Sequence, residues 1–225
     1  MARLVFDLDG TLVHSAPTMT AAANAMLADI GRPPAPEAEV LGFVGHGMRR
    51  LVENLLLATG GVPASGVDAQ LAAYRRHYEA DPVAGTVAYP GALAALNALA
   101  AAGHGLAVCT QKPDGPARAI LDGLGLMPPV AALTGGESLP GVLKPDPRLF
   151  RHAADQLPAG GPEIMIGDSE TDAATARAAG AAFLFHTEGY NARRPETFGA
   201  DGVFSDYAEL PGLVSSLVSG ILARA

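Results

Sequence analysis

The chain has 225 residues, enough for one large domain or two small ones, and 49% hydrophobic content with 17% charged residues excludes a disordered polymer. A net charge of −8 argues against a nucleic-acid partner, which needs a basic surface, and requires a local positive site for any anionic substrate. The single cysteine, Cys109, rules out an internal disulfide, and with no signal-peptide pattern and no membrane-length apolar run the expected setting is cytoplasmic, without a membrane partner.

Residues 3–8 read as a buried strand whose apolar run Leu4-Val5-Phe6 leads into Asp7-Leu8-Asp9-Gly10-Thr11. Side chains alternate along a strand, so two acids two apart point the same way, and Gly10 supplies a sharp turn after them. Residues 18–29 predict a helix, with Met19, Ala22, Ala23, Met26 and Leu27 at helical spacing. Residues 31–36 are a break, and helices follow over 49–58 and 67–80, the last ending before Asp81-Pro82. Residues 15–83 therefore read as all-helical.

The pattern then changes. Pro90-Gly91 opens an alanine–leucine helix that stops at Gly103, and 106–110 is a short apolar strand. Helices are expected over 114–123, 146–156, 170–179 and 206–223, and strands over 130–134, 163–167 and 182–185. Strands alternating with helices imply an α/β fold with a doubly wound, mostly parallel, Rossmann-like sheet. The helical block interrupts it after the first strand. Residues 1–14 plus 84–225 are expected to form the α/β core and 15–83 an inserted helical domain, with linkers near 13–17 and 81–88.

In an open α/β sheet, ligands bind beyond the carboxyl ends of the strands. Those ends carry Asp7 and Asp9, then Thr110, then Asp168, and a loop after the third brings Lys144 to the same edge. Asp168 and Asp172 are four apart, so a helix starting there keeps them neighbours. Each type has a use in phosphoryl transfer. Carboxylates are hard ligands for magnesium, one can act as nucleophile, and a protonated one can supply the leaving group's proton. A hydroxyl, a lysine and turn N–H groups can bind phosphoryl oxygens. The lysines are notable in themselves: only Lys112 and Lys144 occur, against 13 arginines. Either a compact ammonium is needed at those two positions, or a GC-biased composition has left two behind.

The segments VFDLDGTLVHS, VCTQKP, LKPDPRLF and MIGDSETDAATARAAG resemble, in order, the four motifs of the haloacid dehalogenase superfamily of phosphatases. YPGALAAL and TGGESLPGVLKPDP are more narrowly similar to bacterial phosphoglycolate phosphatases. The resemblance implies a Mg2+-dependent phosphomonoester hydrolase with a mobile helical cap, acting through an aspartyl-phosphate on a small phosphate ester, with 2-phosphoglycolate as the family-level substrate. By position it implies Asp7 as nucleophile, Asp9 as general acid/base, Thr110 on the transferring phosphoryl group, and Lys144 holding Asp7 and the phosphate charge together. The implied metal residues are Asp7, Asp9 through its backbone carbonyl, Asp168, and Asp172, which would orient metal waters and Lys144.

His14 and Gln111 depart from the family pattern, where an acid and an asparagine are common, and both lie beside the core set. Gln111 is a substrate-binding candidate with Thr110 and Lys144. In the helical block, Gly45-His46-Gly47-Met48-Arg49 is a turn before a helix that could present His46 and Arg49 to substrate, or be a solvated loop. Lys112 could approach the substrate phosphate, but is expected to be an ordinary turn lysine, and Cys109 a buried inert thiol. His77, His104 and His152 lack ligand-like spacing, so a zinc site is not expected. The alternatives are a phosphatase for a sugar phosphate or pyrophosphate, a sugar-phosphate mutase, and a non-enzymatic scaffold, against which the complete acid–lysine–acid set argues. A monomer or homodimer is expected.

Overall fold

The computed structural model describes residues 1–45, 47–158, 160–191 and 197–224. In chain order the elements are β1 (Arg3–Phe6), β2 (Val13–His14), α1 (Ala16–Asp29), α2 (Glu37–Leu41), α3 (Met48–Ala58), α4 (Gly66–Ala80) and β3 (Val87–Ala88). They continue with α5 (Ala92–Ala101), β4 (Gly105–Cys109), α6 (Asp114–Gly123), β5 (Ala132–Thr134), α7 (Pro147–Ala154), β6 (Glu163–Gly167), α8 (Glu170–Ala179), β7 (Ala182–His186), β8 (Gly202–Phe204) and α9 (Leu210–Leu222). The chain divides into two compact units, Met1–His14 with Ala88–Ala225, and Ser15–Val87.

The first unit is a six-stranded parallel sheet in the order β5-β4-β1-β6-β7-β8. Its central strands are apolar along their length, as a sheet covered on both faces demands. On one face Val5, Ala107, Cys109, Met165, Phe183 and Phe185 pack with Leu149, Phe150 and Ala153 of α7 and Ala173 and Ala176 of α8. The alternate residues Leu4, Phe6, Leu106, Val108, Ile164 and Ile166 are equally buried. Burying a side chain the size of Phe6 contributes about 2–3 kcal/mol.

The strand read over 3–8 ends at Phe6. Beyond it Asp7 N–H still donates to Ile166 O at 2.8 Å, but Leu8 O accepts from Thr11, Leu12 and Val13, so the chain coils into a turn. Gly10 closes that turn at φ +79°, a conformation costly for any other residue. Four short elements were not anticipated. β2 and β3 are two residues each and fall where only linkers were expected. β8 is a three-residue edge strand that begins at a glycine and leaves Val203 exposed, too short to show alternation. α2 is a single five-residue turn after Pro36.

The second unit contains α1 to α4 and buries Met26, Leu27, Leu51, Leu55, Leu56, Tyr74 and Tyr78. Arg32 closes the end of α3, donating to Leu56 O and Thr59 Oγ1 at 3.1 Å each and to Gly61 O at 2.6 Å. Leu56 O also accepts from Gly61 N–H at 2.8 Å, so the guanidinium adds further donors at a helix end whose last carbonyls have no next turn to bond to. Asn24 exchanges hydrogen bonds with Ala35 N and O, which fixes the break after α1. Among the described residues no helix is long and apolar enough to cross a membrane.

Candidate active site

Register brings the chemistry to one sheet edge. Phe6 pairs with Val108 on one side and Ile166 on the other. Asp7 therefore comes level with Cys109 and Gly167, and Thr110 and Asp168 follow one residue later. A parallel sheet ends its strands on the same side, so three sequence-distant segments deliver polar groups together.

Asp7 Oδ1 accepts from Leu8 N–H at 2.7 Å and from Lys144 Nζ at 2.8 Å. Its second oxygen is unengaged among the described residues. Lys144 is 6% exposed and its ammonium also donates to Asp172 Oδ1 at 2.6 Å. The other oxygen of Asp172 accepts from Ser169 N–H at 3.1 Å and Ser169 Oγ at 2.6 Å, while Asp172 N–H donates to Ser169 Oγ at 3.2 Å. This capping box starts α8, so one carboxylate both caps a helix and faces the lysine.

Asp168 is held from two directions. Thr11 Oγ1 donates to Oδ1 at 2.9 Å and Tyr190 N–H donates to Oδ2 at 2.8 Å. Gly10 and Gly189 press against it, and a Cβ on either would overlap the Asp168 carboxyl. Behind this turn, His186 Nδ1 lies 3.0 Å from Gly10 O, and Tyr207 OH donates to Thr11 O. Burial lowers the His186 pKa, and since a carbonyl only accepts, the neutral ring carries its proton on Nδ1.

Carboxylate oxygens of Asp7, Asp168 and Asp172 lie within 4.8 Å of one another, all buried. Burial pushes the Asp7 carboxyl up to about 7, with Lys144 opposing and Asp172 adding to the rise. Asp168 is raised well above the carboxylate range, first by burial and then by Asp172 and Asp7. Burial alone would lower Lys144, but Asp172 and Asp7 outweigh it and raise its affinity for a proton. Three buried carboxylates around one ammonium carry surplus negative charge and only hard oxygen donors. The donor set fits a divalent cation, which would restore the ionised forms that burial disfavours.

Asp9 is placed differently. Its Oδ1 lies 2.9 Å from Lys112 Nζ, whose side chain is 4% exposed. The expectation of an ordinary turn lysine is corrected: Lys112 is a buried counter-charge at the same sheet edge. The two acids of the first motif therefore face two different ammonium groups. Thr110 is buried, and its Oγ1 accepts from Lys112 N–H at 3.2 Å, which leaves its own proton to donate. Gln111 is half-buried beside it.

Cys109 lies in the apolar cluster under α7 and α8, where burial pushes its thiol up to about 12. His14 is half-buried with its ring edge-on to Tyr89 and Tyr190, at centroid distances of 6.3 and 5.8 Å. Arg49 is exposed in the second unit and pairs with Glu53 at 3.3 Å and with Asp68. His46 lies outside the described residues. Sequence reasoning missed the supports Thr11, Ser169, Gly189 and Tyr190. The signal for Ser169 was present, because Ser169 and Asp172 have capping-box spacing. Gly189 and Tyr190 lie in a loop whose sequence carries no comparable mark.

A model of the haloacid dehalogenase-like hydrolases matches residues 1–180. The chain is 46% identical over 213 residues to a phosphoglycolate phosphatase of Rhodospirillum rubrum, covering 92% of this chain and 88% of that protein. It is 45% identical over 222 residues to a phosphoglycolate phosphatase of Cereibacter sphaeroides, covering 97% of this chain and 100% of that one. The crystal structure of a predicted phosphoglycolate phosphatase from Haemophilus somnus superposes with a TM-score of 0.85 at 28% identity, covering 94% of this chain and 97% of that one.

Proposed function

The chain belongs to the haloacid dehalogenase-like hydrolases and is a phosphatase, and from that premise we propose that it hydrolyses 2-phosphoglycolate through a phosphorylated Asp7 with Mg2+ as cofactor. The observation that carries the reading is the division of labour within Asp7. One oxygen is fixed by Lys144 and the Leu8 N–H, and among the described residues the other is unengaged.

A fixed carboxylate with one unengaged oxygen is oriented for attack, because the held oxygen removes the rotational freedom that would misplace the other. Asp7, Asp168, Asp172 and the carbonyl of Asp9 would hold the magnesium, directly or through water. When bound, the ion supplies positive charge to the phosphoryl oxygens and lets anionic Asp7 approach an anionic ester. Thr110 donates a hydrogen bond from its hydroxyl to a phosphoryl oxygen, and Lys144 favours ionised Asp7 and adds charge at the same group. Asp9 donates a proton to the leaving oxygen. The same carboxylate then takes a proton from the water that hydrolyses the aspartyl-phosphate. Residues 15–87 would act as a cap that excludes bulk water and reads the leaving group.

The test is phosphate release from a panel of phosphate esters with Mg2+ or with a chelator, together with intact-mass analysis of protein quenched during turnover. The expected result is chelator-sensitive release greatest for 2-phosphoglycolate, and a phosphoryl adduct that Asp7→Asn lacks. Rapid turnover by Asp7→Asn would sink the covalent scheme. A kcat/KM for sugar phosphates equal to that for 2-phosphoglycolate would sink the substrate assignment.

A further inference from the structure

The site contains two buried ammonium groups, and the reaction as described uses only one. Lys144 is taken up by Asp7 and Asp172. Lys112 lies with Asp9, Nζ to Oδ1 at 2.9 Å. Its main chain is fixed as firmly as its side chain. Lys112 N–H donates to Thr110 Oγ1, and Lys112 O accepts from Gly136 N–H at 2.8 Å. Gly135 packs so closely that a Cβ there would stand 2.9 Å from Lys112 O. The carboxylate of Asp114 accepts from Gly135 N–H at 3.2 Å and Glu137 N–H at 3.1 Å, which locks the glycine pair against the lysine. A solvated turn lysine needs none of this.

We propose that Lys112 is a specificity-determining residue that binds the anionic group of the leaving alcohol, so that the enzyme selects phosphate esters of small hydroxy acids. The inference rests on the reading of Asp9 as the residue that protonates the leaving oxygen. A carboxyl that serves the leaving oxygen while touching Lys112 places the ammonium one carboxyl width and two hydrogen bonds, each about 2.7–3.0 Å, from that oxygen. An acid group one carbon from the ester oxygen spans part of that gap and comes within reach of Nζ. Without Lys112 such a group would face the carboxylate that Asp9 becomes once it has given up its proton, in a chain whose net charge is already −8. A neutral leaving alcohol would face no such repulsion and would gain nothing from the ammonium.

The experiment compares 2-phosphoglycolate with 2-hydroxyethyl phosphate, an ester of similar length whose leaving alcohol is uncharged, in the wild-type enzyme, Lys112→Met and Lys112→Arg. Wild-type enzyme is expected to prefer the acid. Lys112→Met should lose about 10- to 100-fold more kcat/KM on the acid than on the alcohol, chiefly through KM. Lys112→Arg, which keeps the charge, should retain part of the preference. Equal losses on both esters would show that Lys112 acts only through Asp9, and unchanged kinetics would show that it does not act at all; either overturns the proposal. If Lys112→Met does not fold, loss of the preference in Lys112→Arg as complete as its loss of Asp9 function on the alcohol overturns it equally. A wild-type enzyme that prefers the alcohol would instead refute the substrate reading, an outcome visible before any variant is made.

Discussion

Asp172 Oδ1 lies 2.6 Å from Lys144 Nζ, while the other oxygen of Asp172 is committed to the N-terminus of its own helix. The helix start thus sets the position of the lysine, and the lysine sets that of Asp7. Lys144→Met breaks this chain at its middle and leaves two buried carboxylates without their counter-charge. A loss of about 3–5 kcal/mol in folding stability is expected in chelator at pH 8. Chemical denaturation with and without Mg2+ checks it, since a bound cation should recover much of the loss. A variant as stable as wild type in chelator would contradict the arrangement.

The pH dependence of the metal-free protein follows from Asp7. Its carboxyl is raised from 3.8 to about 7, so the folded state holds that proton more tightly than the unfolded chain does. Stability from this group is full below the lower value and is lost as pH rises toward the upper one, by about 1.4 kcal/mol per pH unit for one proton. Asp168 acts in the same direction. In chelator, the stability of wild type relative to Asp7→Asn should fall between pH 4 and 7. Saturating Mg2+ should abolish the fall, because the ion favours the ionised carboxylates. A difference that rises with pH in chelator would refute the assignment.

Gly189 offers a steric test of the cation site that replaces no charged residue. A methyl group there overlaps the Asp168 carboxyl, so Gly189→Ala should push that acid away from Asp7 and Asp172. Mg2+ affinity, read by calorimetry, should weaken about 10- to 100-fold while the circular dichroism spectrum is retained. Unaltered affinity would mean that Asp168 is not held where the cation needs it.

Asp9→Asn should slow the hydrolysis of alkyl phosphates about 100- to 10,000-fold, the usual range for losing a general acid–base group. Phosphorylation by p-nitrophenyl phosphate, whose leaving group needs little protonation, should suffer less. Burst kinetics separates the two steps. Equal slowing of phosphorylation with both leaving groups would remove Asp9 from the proton transfer.

The fold was legible where pattern length allowed it. The runs LVF, LAVC and EIMIG are buried on both faces, and such runs in alternation with helices leave little choice but a parallel sheet. β8 was not legible because three residues cannot show a period, and the early end of β1 was not because Leu8 is apolar yet already in the turn. Asp7 and Asp168 could be gathered from strand ends, Lys144 from the loop after the third of those strands, and Asp172 from its helical spacing to Asp168. The partition of Asp7 and Asp9 between two lysines could not, because alternation along a strand places both acids together and the coil after Phe6 does not. Lys112 stood beside Thr110 in the sequence, yet nothing local distinguishes a buried ammonium from a solvated one. That distinction comes from Asp9, more than a hundred residues away, which the fold brings to Lys112 Nζ.

The sheet order carries a consequence for how the molecule is made. β1 is a central strand, and its partners begin at Gly105 and Glu163, on the far side of the inserted residues 15–87. During synthesis β1 emerges before the insertion and stays unpaired until β4 and then β6 have followed, whereas α1 packs on α2 and α4, and α3 on α4, within the insertion itself. Long-range parallel pairing is slow and local helical packing is fast, so the inserted unit folds before the domain that interrupts itself to contain it. The segment bearing Asp7 and Asp9 is thus made before both of its sheet partners and reaches its native surroundings only after the inserted unit has folded.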